Sequence, residues 1–236
     1  MKQIDHGILI QRKSFSETSL IVTVLTRHHG LTTFLFQGGK KKKGNVLFPM
    51  AQIELTYFHR GDSSMPKLSE VSLLNVNQTI PFNPVKSGIA FFMAEMIYNL
   101  VKPGHREEEL FSTLQNELHW LEATDELTNY PIWFLAEMCH QSGISPSIET
   151  ENPTVFDMLG SKLTTVRPLN ANHVEGDWVH WIESALYTDS STFLAMKIPR
   201  DDRTACFDAL MIYIKVHITG SKVFSSADIV REVLSA

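Results

Sequence analysis

Residues 30–44 read Gly-Leu-Thr-Thr-Phe-Leu-Phe-Gln-Gly-Gly-Lys-Lys-Lys-Lys-Gly, so that a strand-like segment runs directly into four consecutive lysines. Residues 31–36 combine β-branched and aromatic side chains and end at a Gly-Gly pair, which is typical of a β-strand followed by a flexible loop. The stretch therefore predicts a strand that carries a basic loop to the edge of a sheet. Because no other part of the sequence concentrates charge in this way, the loop suggests a surface for a polyanion.

The first 80 residues contain four other strand-like segments. Residues 4–10 and 19–26 are rich in Ile, Val, Leu and Thr, and residues 50–59 alternate apolar and polar side chains with the period of two expected of a half-buried strand. Residues 67–74 complete the series. Five short strands with short connections predict a small β-barrel. Polar residues at 11–18 are predicted to form its first loop, and residues 27–30 a hairpin turn.

Helical patterns replace the strand patterns after Ile80. Asn83 and Pro84 combine an N-cap residue with a first-turn proline, and apolar residues then recur every three or four positions as far as Val101. Acidic residues at 107–109 favour the start of a second helix, because they lie near its positive end. Further helices are predicted from Pro131 to Gly143 and over residues 178–186, 206–218 and 225–234. The aromatic residues interpreted as helix core are Phe91, Phe92, Tyr98, Trp120, Trp133 and Phe134.

Residues 145–168 interrupt these helices. The segment is polar and contains prolines, and it is only weakly strand-like around Phe156 and Leu163, so an irregular segment that could contain a hairpin is expected. As a whole the sequence predicts an α+β protein with two domains. The first is a barrel over residues 1–80, and the second is a mainly helical domain over residues 81–236.

Charge divides at the same point in the sequence. The chain of 236 residues has a net charge of −5, but residues 1–80 hold 10 basic against 5 acidic residues, a charge of +5. The remaining residues hold 11 basic and 21 acidic side chains, a charge of −10. A basic module joined to an acidic one is consistent with a protein that binds nucleic acid with its first part and another partner with its second.

Apolar runs and cysteine usage exclude several classes of protein. The longest apolar run, residues 89–101, is interrupted by a glutamate and an asparagine, and charged residues lie near the start of the chain. Neither a membrane span nor a signal peptide is expected. The sequence therefore predicts a cytoplasmic protein. Cys139 and Cys206 are the only cysteines, too few for a multi-disulfide framework or a four-cysteine zinc site. Both are expected to be buried thiols.

The sequence contains no recognisable enzyme motif. Gly39 and Gly44 bracket four residues as in a phosphate-binding P-loop, but Asn45 follows where the motif requires Lys. Residues 143–147 lack the second glycine of a nucleophile elbow. The histidines show no metal-ligand spacing, so no metal or other cofactor is expected. Acidic residues at 107–109 and 201–202 are interpreted as helix starts or solvated turns.

Cationic side chains accompany the lysine run on neighbouring loops of the predicted barrel. A lysine run by itself is most often a solvated loop, but cationic loops with nearby aromatic rings are the usual means of holding single-stranded nucleic acid. Phe34 and Phe36 share one face of their strand, which is either the barrel core or its outside, and Phe15 lies in the first loop. The lysines are favoured over the rings. The candidate DNA-binding residues are Arg12, Lys13, Arg27, His28, His29, Phe36, Lys40, Lys41, Lys42 and Lys43.

Four segments carry a family resemblance: Gly7-Ile8-Leu9-Ile10, Ser16-Glu17-Thr18-Ser19-Leu20-Ile21-Val22, His29-Gly30-Leu31 and Gly38-Gly39-Lys40-Lys41-Lys42-Lys43. They resemble the amino-terminal domain of the RecO family of bacterial recombination mediators, and the resemblance extends more diffusely to the carboxyl end. It implies an OB-fold followed by a helical domain, binding of single- and double-stranded DNA, and strand annealing. It further implies loading of the recombinase RecA onto strands coated by single-stranded-DNA-binding protein, RecR as a partner, and a nucleoid-associated location in the cytoplasm.

The chain departs from that family in one respect. Many RecO-like proteins carry a four-cysteine zinc motif in the helical domain, but residues 145–168 contain no cysteine, so zinc is not carried over. A metal-free hairpin held by packing is expected around Phe156 and Leu163 instead. The resemblance does not assign the residues that contact single-stranded-DNA-binding protein.

Three hypotheses follow from the sequence. The first is a non-enzymatic DNA repair and recombination mediator whose basic loop neutralises phosphates. The second is a protein-interaction module in which the same OB-fold loop grips the acidic tail of a partner. The third is a nuclease or nucleotide hydrolase, which would require metal-dependent turnover.

Overall fold

The computed structural model describes residues 2–40, 47–59, 65–75 and 77–234. Contacts group the chain into two compact units, Met1–Thr124 and Asp125–Ala236. The first unit contains the five strands together with two helices, while the predicted domain boundary at residue 80 stays a prediction. Within the described ranges, no helix is both long enough and apolar enough to cross a membrane.

Five strands form the ring that begins the first unit. They are β1 (Lys2–Ser14), β2 (Leu20–Thr26), β3 (Gly30–Phe36), β4 (Gln52–Phe58) and β5 (Lys67–Leu73). They close as a barrel in the order β1-β2-β3-β5-β4, in which only the pairing of β3 with β5 is parallel. This order is that of an OB-fold. The predicted fold class, a five-stranded OB-fold barrel followed by a mainly helical region, is confirmed.

Strand β1 extends four residues beyond its predicted end. A bulge between Leu9 and Gln11 shifts the register, after which the ladder with β2 continues to the pair Ser14↔Leu20. Arg12 and Lys13 therefore lie on a strand, and the prediction that they belong to the first loop is wrong. The polar composition of residues 11–14 gave no sign of this, because backbone pairing at the end of a hairpin does not require apolar side chains.

Inward-facing side chains of all five strands fill the barrel. Phe34 and Phe36 both point into this core, which decides between the two faces that the sequence left open. The ring of Phe34 packs edge-on against Tyr57 with 5.0 Å between centroids. The buried cluster also contains Leu9, Leu20, Val22, Val24, Leu47, Ala51, Ile53, Leu55, Leu68 and Val71.

Two helices complete the first unit, α1 (Pro84–Leu100) and α2 (Glu108–Ala123). Asn83 caps α1 as predicted, because its side chain accepts hydrogen bonds from the backbone N–H groups of Val85 and Lys86. Acidic residues occupy the first turn of α2, as predicted. Phe91 and Tyr98 are 44% and 40% exposed, so the prediction that they belong to the helix core is wrong. At about 100° per residue, both lie on the face of α1 opposite the buried stripe that contains Ile89, Met93 and Met96.

A carboxylate on α2 fixes the segment that joins the barrel to α1. Glu122 accepts hydrogen bonds from the backbone N–H groups of Gln78 and Thr79 at 2.6 Å and of Ile80 at 3.0 Å. Burial alone would raise the pKa of Glu122, but these hydrogen bonds outweigh it and hold the pKa below its usual value of 4.5. The buried ammonium of Lys86 reinforces the junction by donating to the backbone carbonyl of Glu122 at 3.0 Å.

The second unit combines helices with a small sheet. Its helices are α3 (Tyr130–Gln141), α4 (Val179–Tyr187), α5 (Ser190–Leu194), α6 (Arg200–Ile214) and α7 (Ala227–Leu234), and a π-helical turn (Lys215–Thr219) extends α6. The sheet has the order β6-β8-β7-β9, with β6 (Ser147–Ile148), β7 (Val155–Asp157), β8 (Lys162–Thr164) and β9 (His173–Glu175). Strands β7 and β8 form the hairpin expected around Phe156 and Leu163.

Hydrogen bonds and packing hold this hairpin against α6. The ring of Phe156 is fully buried and lies 4.9 Å from that of Tyr213. His217, in the π-helical turn, lies with its Nε2 2.6 Å from the carbonyl oxygen of Met158 in the β7–β8 turn. In the same turn Asp157 accepts from the backbone N–H of Gly160 at 3.0 Å. The described side chains around the hairpin therefore anchor it by direct contacts.

We expect Glu122→Ala to lower the free energy of unfolding by about 1–2 kcal/mol at neutral pH, because three backbone N–H groups lose a charged acceptor that is partly open to solvent. The folded-state pKa of Glu122 is depressed, so its contribution is present above the unfolded-state value and is lost as pH falls through the folded-state pKa. Urea unfolding of the two proteins at several pH values measures the difference.

The difference between wild type and Glu122→Ala should therefore shrink below pH 4.5. Glu17→Ala is the matched control, since it removes one carboxylate from an exposed position in the same unit. A Glu122→Ala protein as stable as this control at neutral pH would show that the junction does not depend on the carboxylate.

Candidate nucleic-acid interface

Lys40 is the described member of the lysine run, and it is attached to the first loop. Its backbone N–H donates to the carbonyl of Thr18 at 3.2 Å, and its Nζ donates to the carbonyl of Ser16 at 2.8 Å. The start of the basic segment is thus held beside the β1–β2 loop. Lys41, Lys42 and Lys43 lie outside the described residues.

Other cations lie at the same end of the barrel. Arg12 and Lys13 are exposed near the end of strand β1, just before the loop. The Nζ of Lys13 lies 5.7 Å above the ring centre of Tyr98 on α1. Lys67 begins β5, where it pairs with Leu35 of β3. Sequence reasoning missed Lys67, which it interpreted only as the first residue of the last strand. We call Arg12, Lys13, Lys40 and Lys67 the loop surface.

The hairpin between β2 and β3 carries the second group of predicted residues, and it is organised by a buried carboxylate. Asp5 is 3% exposed and accepts from the backbone N–H of His28 at 3.3 Å. The Nδ1 of His28 lies 2.7 Å from Oδ1, the other oxygen of the same carboxylate. Arg27 and His29 are exposed on either side of His28. The hairpin therefore holds three cationic or hydrogen-bonding side chains at the surface.

Tyr57 lies beneath this hairpin. Its ring is buried and makes an edge contact with His29, with 6.4 Å between centroids. Burial, with a smaller contribution from the Asp5 carboxylate, raises the pKa of Tyr57 to about 12. The phenol is consequently neutral at physiological pH, and the group contributes packing and no charge to the hairpin.

Strands β2 and β3 separate the two groups. Leu20 pairs with Phe36 at the end that carries the loop surface, and Thr26 pairs with Gly30 at the end that carries the hairpin. At about 3.3 Å per residue, these seven-residue strands place the groups about 20 Å apart. The described members of the predicted site therefore lie in two groups and not in one cluster.

Phe36 is the predicted site residue that the fold removes from the surface. Its side chain is 1% exposed and belongs to the barrel core, so the ring is not available to stack on a base, and its assignment to the binding surface is corrected. Phe15, in the loop before β2, is 62% exposed instead. Tyr98 and Phe58, which is 43% exposed and pairs with Lys67, are further described aromatic side chains near the loop surface.

The connection between α1 and α2 reaches the β2–β3 hairpin. Pro103 forms a parallel bridge with Leu31, and the N–H of Gly104 donates to the carbonyl of Leu31 at 3.2 Å. The approach is so close that a Cβ on Gly30, which has φ of +63°, would lie 1.7 Å from the carbonyl oxygen of His105. Sequence reasoning missed this neighbourhood, because it followed the helical pattern only as far as Val101 and assigned no contact to the residues after it.

Charge of the opposite sign lies on β4 and β5. A cavity of about 370 Å³ opens along β4 and β5 and is lined by the exposed carboxylates Glu54 and Glu70. Glu54 lies 3.6 Å from His6 on β1. Because carboxylates repel phosphates, this wall disfavours a nucleic-acid backbone, which leaves the two cationic ends of β2 and β3 as candidates.

The described residues contain no group of three His, Cys, Asp or Glu side chains placed to hold a metal ion. Cys139 and Cys206 are buried as predicted, and burial raises the pKa of the Cys139 thiol to about 12 and that of the Cys206 thiol further. Thiols with raised pKa values are poor nucleophiles. Asp201 and Asp202 lie in the first turn of α6, in agreement with their interpretation as a helix start.

We expect Asp5→Ala to destabilise the hairpin, because the backbone N–H groups of His6 and His28 lose their acceptor in a buried site. The loss should be about 1–3 kcal/mol in the free energy of unfolding. Hydrogen exchange at residues 26–30 should rise with it.

Asp5→Asn is the matched variant, since it keeps one acceptor oxygen in place of the two that the N–H groups of His6 and His28 use separately. It should recover part of the lost stability. Equal stability of Asp5→Ala and wild type would contradict an organising role for this carboxylate.

Comparisons with known proteins cover the entire chain. Residues 1–77 match the family model "Recombination protein O N terminal", and residues 81–226 match "Recombination protein O C terminal". The "DNA repair protein RecO" of Phocaeicola vulgatus is 27% identical over 241 residues, which span all of both chains. That of Bacteroides fragilis is 27% identical over 99% of each chain, and that of Christiangramia forsetii is 26% identical over 96% of this chain and 97% of its own.

Proposed function

The chain belongs to the RecO family of recombination proteins, and from this premise we propose that it is a DNA repair and recombination mediator that binds single- and double-stranded DNA. It anneals complementary strands and assists the loading of a recombinase onto strands coated by single-stranded-DNA-binding protein. RecR and single-stranded-DNA-binding protein are its proposed protein partners. It acts by binding and catalyses no reaction on DNA.

The observation that carries this proposal is the loop surface of an OB-fold barrel. Loops between β1 and β2 and between β4 and β5 are where OB-folds commonly bind oligonucleotides. Here the β1–β2 loop lies beside Lys40, and Arg12 and Lys13 lead into it. A phosphate backbone would find cations on both sides of the loop.

Phosphate contacts of this kind fix a strand in place without reading its sequence. A protein that neutralises the backbone of two strands also lowers the repulsion between them, which is the physical requirement for annealing. Lys41, Lys42 and Lys43 would add to the loop surface, since they follow Lys40 directly in sequence. We assign to residues 81–236, whose net charge is −10 in the sequence, the contacts with protein partners.

Changing Lys40, Lys41, Lys42 and Lys43 together to alanine is expected to weaken binding of labelled single-stranded DNA by at least about 10-fold at low salt, because up to four phosphate contacts are lost. Annealing of complementary strands should slow in parallel. Fluorescence anisotropy measures the first, and recovery of duplex from a quenched pair of strands measures the second. Inclusion of Mg²⁺ should leave the strands uncut.

The control replaces the same four lysines with arginine, which keeps the charge and should retain affinity. Two results would count against the proposal. If the alanine variant binds DNA as the wild type does, the lysine run is not a phosphate site. If the wild type binds an acidic peptide tightly and DNA negligibly, the barrel is a protein-interaction module.

A further inference from the structure

The β2–β3 hairpin and the α1–α2 connection together form a second cationic surface. The bridge between Leu31 and Pro103 and the contact of Gly30 with His105 fix the two segments side by side. The basic side chains that these segments carry are exposed. We call them the hairpin surface, and its members are Arg27, His28, His29, Lys102, His105 and Arg106.

The two segments bring full positive charges from distant parts of the sequence. Arg27 comes from the hairpin, and Lys102 comes from the end of α1. Arg106 forms an ion pair with Glu108, and Glu107 and Glu109 flank that residue at the start of α2, so Arg106 adds no net positive charge. The histidines add ring N–H groups that can donate to phosphate oxygens. Arg27 and Lys102 are consequently the residues on which the charge of this surface depends.

Contacts within the fold fix the position of this surface. The buried Asp5 carboxylate fixes the hairpin through the N–H of His28, and Gly30 is the residue that permits the α1–α2 connection to approach. A preformed cationic surface binds a polyanion at a lower cost in conformational entropy than a loop that must first become ordered.

The distance between the two surfaces defines what can bind both. They lie about 20 Å apart along β2 and β3, a length that several nucleotides span. OB-fold proteins hold about 4–16 nucleotides of single strand per barrel. The acidic wall on β4 and β5 disfavours the alternative path around the barrel.

We propose that the hairpin surface is a second phosphate-binding site, which engages the same DNA strand that the loop surface holds. This inference rests on the proposed function, since it assumes that the loop surface binds DNA. It assigns Arg27 and Lys102 to backbone contacts and sets the length of strand that one molecule occupies.

The test uses the double variant Arg27→Ala/Lys102→Ala of the full chain and two single-stranded oligonucleotides. One has about 4 nucleotides and cannot reach both surfaces, and the other has about 16. Loss of two contacts should reduce the slope of log affinity against log salt by about 1.4 for the long strand. Affinity for the short strand should be unchanged, because the loop surface is intact.

The matched control is Lys197→Ala/Arg200→Ala, which removes one lysine and one arginine from exposed positions of the second unit. The thermal midpoint of each variant reports whether the fold is kept. The inference requires that the double variant lose more affinity for the long strand than this control does.

Three outcomes separate the claims. Weaker binding of the long strand alone supports the inference. Long-strand binding equal to wild type, or equal weakening for both lengths, overturns the inference while the proposed function stands. Wild-type protein that shows no salt-dependent binding of either strand overturns the proposed function, and the inference with it.

Discussion

A short parallel ladder between β3 and β5 is the contact on which the barrel depends. It consists of the pairs Leu35↔Lys67 and Phe36↔Leu68, and the N–H of Leu35 also donates to the carbonyl of Pro66 at 3.0 Å. All other strand pairs of the barrel are antiparallel, and without this ladder they would form a sheet with two open edges. Closure encloses Phe34 and Phe36 in the core. The antiparallel ladder of β2 with β3 pairs Leu20 with Phe36, so the segment that leaves β3 emerges beside the β1–β2 loop and Lys40 lies next to Ser16.

Closure also sets the electrostatics of the first unit. Since β2 and β3 run from one end of the barrel to the other, the cations on their connections are divided between two ends, and the acidic side chains of β4 and β5 lie on another wall. The buried Asp5 carboxylate is negatively charged, but it supports the cationic hairpin. It is fully engaged by the hairpin backbone and by His28, and so it orders the loop that presents Arg27. Glu122 plays a similar part at the junction with α1, where its charge is used by three backbone N–H groups.

The strands and most helices followed from local patterns, because alternation, capping residues and proline positions act within a few residues. What could not be predicted depends on long-range contacts. The period of two placed Phe34 and Phe36 on the same face of their strand. It did not show whether that face was the core or the outside, since barrel closure decides this. Residues 11–14 looked like a loop and became strand through pairing with β2. The approach of residues 103–105 to Gly30 joins segments more than 70 positions apart, and β6 pairs in parallel with β8 over only two residues, so neither left a local signal.

The most direct test of the central claim, that this barrel holds a nucleic-acid backbone by its charge, is the affinity of the wild-type protein for labelled single-stranded DNA over a series of salt concentrations. The account predicts a linear fall of log affinity with log salt, with a slope of about −3 or steeper, since each neutralised phosphate contributes about 0.7. It also predicts nearly equal slopes for strands of different sequence, because phosphate contacts do not read bases. An affinity that does not change with salt would contradict the account.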